Sequence, residues 1–280
     1  MRRIVQTPPG IRGAYAASYF CFYPPNFMNR FPFASVVCAF AFILPATLFA
    51  GPADDLIRQG DLHDVKFASK TALESYLPAE KLEPNNVALL LKIARQYRHE
   101  SQDAGSTAEK SRLAALALQY AQRAVALEPR NGEAHLSVAI CYAKSLAFLG
   151  NKEKMNTLRV VKASVDQALA LDPKQDLGWY ILGCWNQRVA ELGSFKKTMA
   201  EIAYGGLPDA DDETAIKCFE KAIALNPNRL IHYIELGRTH AHAGNEAEAR
   251  KYIQKGLAMA NTGKDDAETK QRGSQTLADL

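Results

Sequence analysis

The side chains with chemical reach in this sequence are cations rather than nucleophiles or metal ligands. Arg95, Arg98, Lys144, Arg188 and Arg238 recur along successive amphipathic segments with no carboxylate at the equivalent places. Such groups hold a carboxylate or phosphate through charge-assisted hydrogen bonds, Arg by a bidentate fork and Lys as a point charge. Nucleophile elbows, Walker loops, histidines at metal spacing and glycine-rich strand-to-helix turns are missing from the 280 residues. His240 and His242 stand two apart and point to different helix faces. Cys21 and Cys38 lie in the first 50 residues; Cys141, Cys184 and Cys218 sit among apolar neighbours without a C-x-x-C spacing, where a free cysteine acts as a small hydrophobe. A Cys184–Cys218 bridge across one helix pair remains an open alternative. The chain is thus expected to be non-enzymatic, with no cofactor and no metal.

A recurring phrase shows what positions the cations. It reads Ala124-Val125-Ala126-Leu127-Glu128-Pro129, Ala168-Leu169-Ala170-Leu171-Asp172-Pro173 and Ala222-Ile223-Ala224-Leu225-Asn226-Pro227, with a looser copy ending at Pro84. Small residues let a second helix approach, Leu fills the core, and Pro ends the helix because it cannot donate to the next turn. One helical unit is therefore copied along the chain. Trp179, Leu182 and Gly183, followed by Ala215, Phe219, Ala222 and Pro227, resemble the tetratricopeptide repeat, whose unit is 34 residues long. Successive prolines are 45, 44 and 54 residues apart, so these repeats carry extra length; only the last one, with Tyr233, Leu236, Gly237, Ala249 and Ile253, is standard. The fold class is accordingly all-α, a right-handed α-solenoid of tetratricopeptide-like helix pairs.

The expected elements are a degenerate pair over 53–82, broken at Gly60-Asp61, with a second helix through Phe67, Ala72, Leu73 and Tyr76 that Pro78 kinks or ends early. Pairs at 87–101 with 107–127, 133–149 with 152–171, and 230–243 with 246–260 follow. In the fourth pair Phe195, Met199, Ile202 and Ala203 predict a short third helix within 194–208. A polar helix at 265–280 caps the open end, as solenoids require. Trp179 and Phe219 are expected to meet between the helices of the fourth pair.

In tetratricopeptide-like repeats the concave face is lined by four positions of each first helix. In this sequence they include Leu91, Arg95, Arg98, His99, Lys144, Tyr180, Gln187, Arg188, Ile234, Arg238 and His242, together with Leu136, Ile140, Ala143, Cys184 and Ala241. Five are Arg or Lys and none is acidic. The groove they predict has apolar walls and basic clamps, suited to a carboxylate-bearing peptide or a phospholipid headgroup.

The resemblance narrows at Leu182-Gly183-Cys184-Trp185, Val189-Ala190-Glu191-Leu192-Gly193-Ser194-Phe195, Ala203-Tyr204-Gly205-Gly206-Leu207-Pro208 and Glu213-Thr214-Ala215. This string is similar to the regulator of microtubule dynamics family. The resemblance implies a tetratricopeptide-like adaptor, with microtubule and phospholipid association in eukaryotic members.

Residues 1–50 carry four arginines and no acid, which leaves 30 basic and 30 acidic residues in the remainder. The basic pI of 8.7 therefore belongs to the leader, and the balance gives no case for nucleic acid as a partner. Met28-Asn29-Arg30, the apolar run 31–49 and Ala50-Gly51-Pro52-Ala53 match a secretory signal peptide, with 1–27 as an over-extended start. The domains are then a leader at 1–50, a repeat domain at 51–262 and a capping helix at 263–280. Export to a periplasm is expected, with an uncleaved membrane anchor as the alternative. The expected function is an adaptor that binds a protein or peptide segment in the concave groove, with a lipid-binding or lipid-transfer module for anionic phospholipid as the alternative.

Overall fold

The computed structural model describes residues 51–192 and 207–280. The described residues form an all-α solenoid. Its helices are α1 (Pro52–Asp64), α2 (Ser69–Leu82), α3 (Val87–Asp103), α4 (Thr107–Leu127), α5 (Gly132–Ser145), α6 (Asn151–Leu171), α7 (Asp176–Ala190), α8 (Asp212–Leu225), α9 (Leu230–His242), α10 (Glu246–Ala258) and α11 (Asp266–Asp279). They pack as five antiparallel-type pairs, α1 with α2 through α9 with α10, and each pair packs on the next. The first helices α3, α5, α7 and α9 lie side by side in that order.

The recurring phrase sets both ends of each turn. The helices α4, α6 and α8 stop at Leu127, Leu171 and Leu225, one residue before the acid or amide that precedes Pro. Two residues beyond Pro84 and Pro129 the next helix is capped: Asn86 and Asn131 accept the backbone N–H of Leu89 and Ala134 at 3.0 and 3.1 Å, satisfying a donor that the first turn leaves unpaired. Ser106 and Asp211 do the same for α4 and α8.

Close approach inside a pair depends on glycine. A Cβ on Gly183 would stand 2.8 Å from the Phe219 ring, and one on Gly237 would stand 2.6 Å from Ile253 and 2.9 Å from the Ala249 carbonyl. Phe219 is fully buried among Ala215 and Leu236, with Tyr180 tilted against it at 6.0 Å. Trp179 does not join it as expected. It packs instead in the neighbouring cluster with Val165, Leu169 and Trp185, and its Nε1 donates to the Pro173 carbonyl at 2.9 Å.

The first pair departs from local expectation in three ways. Gly60 does not break α1; the buried Tyr76 ring lies so close that a Cβ on Gly60 would approach it to 2.3 Å. Pro78 does not end α2, which runs on to Leu82 with Pro78 exposed while Tyr76 and Ala79 are buried. Phe67 lies outside the helix, in the α1–α2 turn, at φ 55°. The third helix expected within 194–208 falls largely on 194–206, outside the described residues.

Candidate functional site

A cavity of about 600 Å³ opens on the first helices of the second, third and fourth pairs. Nine of the sixteen expected groove residues line it: Arg95, Arg98 and His99 from α3, Ile140, Ala143 and Lys144 from α5, and Tyr180, Cys184 and Arg188 from α7. Their helices stack side by side, so cations far apart in sequence share one wall. The floor is apolar, made by Ile140, Leu146, Leu158, Val161, Ile181 and Trp185. Trp185 is buried and donates its Nε1 to the Leu158 carbonyl at 2.8 Å, which leaves its ring as apolar surface.

The other seven, among them Leu136 in the core and Ala241 on α9, lie elsewhere. Leu91 is buried between the second and third pairs, with Leu90, Ala124 and Ala134. Gln187 is also buried, its Nε2 without a partner. Ile234 is fully buried under Gly256 and Gly273. Arg238 donates to Glu235 at 2.5 Å, and Arg272 of α11 reaches the same carboxylate at 2.9 Å. His242 stands on the exposed surface with Nδ1 2.7 Å from Asp212 Oδ2. For Ile234 and Arg238 the reason is α11, which packs on α9 and α10 and covers the face that the repeat pattern assigns to ligand. Ile231, one turn before Ile234, reaches the cavity in its place.

The expectation of a strip without acids is corrected by carboxylates from outside the repeat positions. Asp64, at the end of α1, pairs with Arg95 and accepts from Gln96 Nε2 at 2.8 Å. Asp265, just before α11, pairs with Lys144 at 2.8 Å and accepts from Gln102 at 2.6 Å. Burial alone would raise the Asp265 carboxyl, but Lys144 and Gln102 hold it below the usual aspartate range. Arg229 is likewise engaged, with Asp176 at 2.8 Å. Two guanidinium groups keep capacity. Arg98 donates to Ser137 Oγ at 3.0 Å and approaches Cys141 Sγ at 3.8 Å. Arg188 is exposed and has no carboxylate partner among the described residues.

His99 lines the cavity between Arg98 and Phe67. Burial, reinforced by the Arg98 charge, pushes its pKa down to about 4, so the imidazole is neutral at physiological pH. Its Nδ1 is buried without a partner, and the Phe67 ring meets it edge-on at 6.2 Å. A phenylalanine at positive φ is uncommon and strained, and such strain persists where surrounding structure demands it. Asp64, Val65, Phe67 and the segment 262–266 are cavity residues from outside the first helices of the second to fifth pairs, and repeat spacing does not reveal them.

No group of three or more His, Cys, Asp or Glu among the described residues is arranged to hold a metal. Cys141, Cys184 and Cys218 are free thiols, so the Cys184–Cys218 bridge does not form. Burial pushes the Cys184 thiol up to about 12, far from a reactive thiolate. The arrangement can neutralise an anion and cover an apolar body.

Comparisons with known proteins bear on both fold and family. A family model described as Regulator of microtubule dynamics protein 1-3 matches residues 53–280. Regulator of microtubule dynamics protein 1 of Mus musculus is 27% identical over 194 residues, which is 69% of this chain and 64% of that protein. Regulator of microtubule dynamics protein 2 of Homo sapiens is 25% identical over 201 residues, 70% of this chain and 48% of that protein. The chain thus spans less than two thirds of the length of these relatives. Among solved structures, a thermophilic TPR protein of Thermus thermophilus aligns with a TM-score of 0.61 at 17% identity, covering 81% of this chain and 99% of that one. PilW, a type IV pilus biogenesis factor, aligns at 0.52 and 16% identity, over 81% of this chain and 89% of its own. These two likenesses concern the fold.

Proposed function

Because the chain belongs to the regulator of microtubule dynamics family and folds as a helical repeat scaffold, we propose that it is a non-enzymatic binding module whose cavity takes an anionic amphiphile such as a phospholipid. One observation carries this reading: Arg98 and Arg188, neither held by a carboxylate, overlook an apolar floor in a cavity of about 600 Å³. A phosphate or carboxylate headgroup would sit between the two guanidiniums, and its apolar chain would cover Leu158, Val161 and Ile181. An extended peptide suits the same floor less well, because its backbone N–H and C=O groups need partners when buried. The one side-chain amide on the lining, Gln102, is already engaged with Asp265.

A second reading, a protein or peptide segment bearing a carboxylate, is supported by the lip. Val65 is 75% exposed beside Phe67 at the opening, an apolar contact that a partner's side chain would cover. Native mass spectrometry of the purified chain separates the two. A co-purified lipid mass that disappears in the Arg98→Gln/Arg188→Gln double variant supports the amphiphile. A chain without adduct that takes up no added phosphatidylglycerol overturns it and leaves the peptide.

Export belongs to the same proposal. No described helix is long and apolar enough to cross a membrane, and the apolar leader stands before Gly51. Cleavage after Ala50 would keep α1 whole, whereas cleavage after Ala53 would remove its first residues. N-terminal sequencing from a Gram-negative host should therefore begin at Gly51; a chain that retains Phe31 would replace release with anchoring. Microtubule regulation is what the relatives' names state of them. The residues beyond the leader are balanced at 30 basic and 30 acidic, so this chain brings no excess of positive charge to an acidic polymer.

A further inference from the structure

The segment 262–266 links the last repeat to α11, yet its far side is tied to the second and third pairs. Lys264 Nζ pairs with Asp103 at 2.7 Å, Asp265 Oδ1 accepts from Gln102 at 2.6 Å, and Asp265 Oδ2 pairs with Lys144 at 2.8 Å. The turn itself is preformed. Asp266, buried, accepts the backbone N–H groups of Thr262 and Gly263, both at 2.7 Å. Thr262, Gly263, Lys264, Asp265 and Asp266 all line the cavity.

These ties are polar and partly exposed, and the strap holds no large apolar side chain. Asp103 is 55% exposed, and Lys144 and Asp265 are 39% and 37% exposed. Ion pairs of this kind contribute little and are screened by salt. The strap is therefore a rigid turn on a weak catch. The catch is also chemically specific, because the Asp265 carboxylate occupies Lys144, the ammonium that shares the cavity wall with Arg98.

We propose that 262–266 is a strap that gates the cavity, with Asp265 standing in for a ligand anion on Lys144 until an incoming anion displaces it. This rests on the cavity being the ligand site. Displacement would leave Lys144 bonded to the ligand headgroup and free Asp265 to solvent, where its desolvation ends. Charge at the wall is balanced in both states, so closing protects the apolar floor without leaving a buried carboxylate unpaired.

The test uses the full chain, with 8-anilinonaphthalene-1-sulfonate as an anionic apolar probe and amide hydrogen exchange over 259–266 as a direct report on the strap. Asp103→Asn loosens Lys264 without altering any residue of the cavity lining. It should speed exchange at the strap and raise the probe's association rate about two- to fivefold, the factor that corresponds to one exposed ion pair. Asp265→Asn should do the same and also tighten probe binding, since Lys144 then lacks its internal anion. Raising salt should speed strap exchange in the wild type more than in either variant. Faster strap exchange with unchanged probe association in Asp103→Asn overturns the gate while the ligand site stands. Unchanged strap exchange in both variants overturns the catch. A probe that binds neither wild type nor variants overturns the ligand site and the gate together.

Discussion

The seam between paired helices and the cavity beneath 262–266 lie on different faces of the same first helices, and they are held by different physics. At the seam, Gly183 meets Phe219 and Gly237 meets Ile253 so closely that a single added carbon would collide. The atoms that a carbon added to either glycine would meet first all come from the partner helix of the same repeat. At the cavity, Arg95 and Lys144 are answered by Asp64 and Asp265, residues that no repeat position supplies. The imidazole of His99 is left with an unpaired buried nitrogen. The seam is where stability resides, and the cavity is where stability is surrendered to binding.

The largest test of that contrast is Phe219→Ala. Phe219 is fully buried, so the variant should lose about 3–5 kcal/mol in urea unfolding, the range for a large aromatic removed from a packed core. A loss below about 1 kcal/mol would show that the seam of the fourth pair can collapse around the gap.

On the cavity side the sharpest probe is acid. His99 has a folded pKa of about 4 against an ordinary 6.5, because of burial first and the Arg98 charge second. Arg95 adds to the lowering, while Asp265 and Asp64 oppose it. Between those values the unfolded chain binds more protons than the folded one. The stabilisation is thus complete above pH 6.5 and is lost as pH falls towards 4, by about 2 to 3 kcal/mol. His99→Gln should flatten that window of the pH–stability curve; an unchanged slope would place the titration elsewhere.

The same contrast explains what could be read from sequence. The phrase ending at Pro129, Pro173 and Pro227 carries the helix ends and the small residues of the seam, because each is a local requirement repeated in order. Arg95, Arg98, His99, Lys144, Tyr180 and Arg188 were legible as one wall, since side-by-side first helices turn a repeat interval into adjacency. Ile234, Arg238 and His242 obey the same spacing but face α11 or the outer surface, and nothing in the spacing says where a terminal helix will fold back. Asp265 could not be paired with Lys144 or Gln102 by any pattern, because 163 residues separate it from Gln102 and it belongs to no repeat. Local rules also misread the first pair. Gly60 reads as a breaker and Pro78 as a stop, but the buried Tyr76, bonded through its hydroxyl to Asp61 at 2.6 Å, holds both helices through them.

Gly237→Ala tests the seam at a finer scale. The new methyl would meet the Ala249 carbonyl and the Ile253 amide nitrogen at 2.9 Å. Both are backbone groups that move only if α10 moves. Overpacking of this kind should destabilise by about 1–3 kcal/mol, read as a lower urea midpoint, and ligand capture should survive because Gly237 does not line the cavity. Loss of capture with an intact fold would mean that α10 communicates with the site.

The smallest effect on stability should come from Arg188→Gln, and for that reason it separates the two faces most cleanly. Arg188 is exposed, lines the cavity and has no carboxylate partner among the described residues. Removing a solvated, unpaired charge leaves no buried group without its counterpart, so the unfolding free energy should change by less than about 0.5 kcal/mol. If the cavity is a ligand site, the same change removes one of the two guanidiniums that no carboxylate holds and should weaken uptake of phosphatidylglycerol, scored by native mass spectrometry. Arg238→Gln provides the control, because Arg238 belongs to the Glu235–Arg272 network beneath α11. It should lower stability by more than Arg188→Gln while leaving uptake near the wild-type level. The reverse ranking would put the ligand on the fifth pair and make the cavity wall a solvated surface.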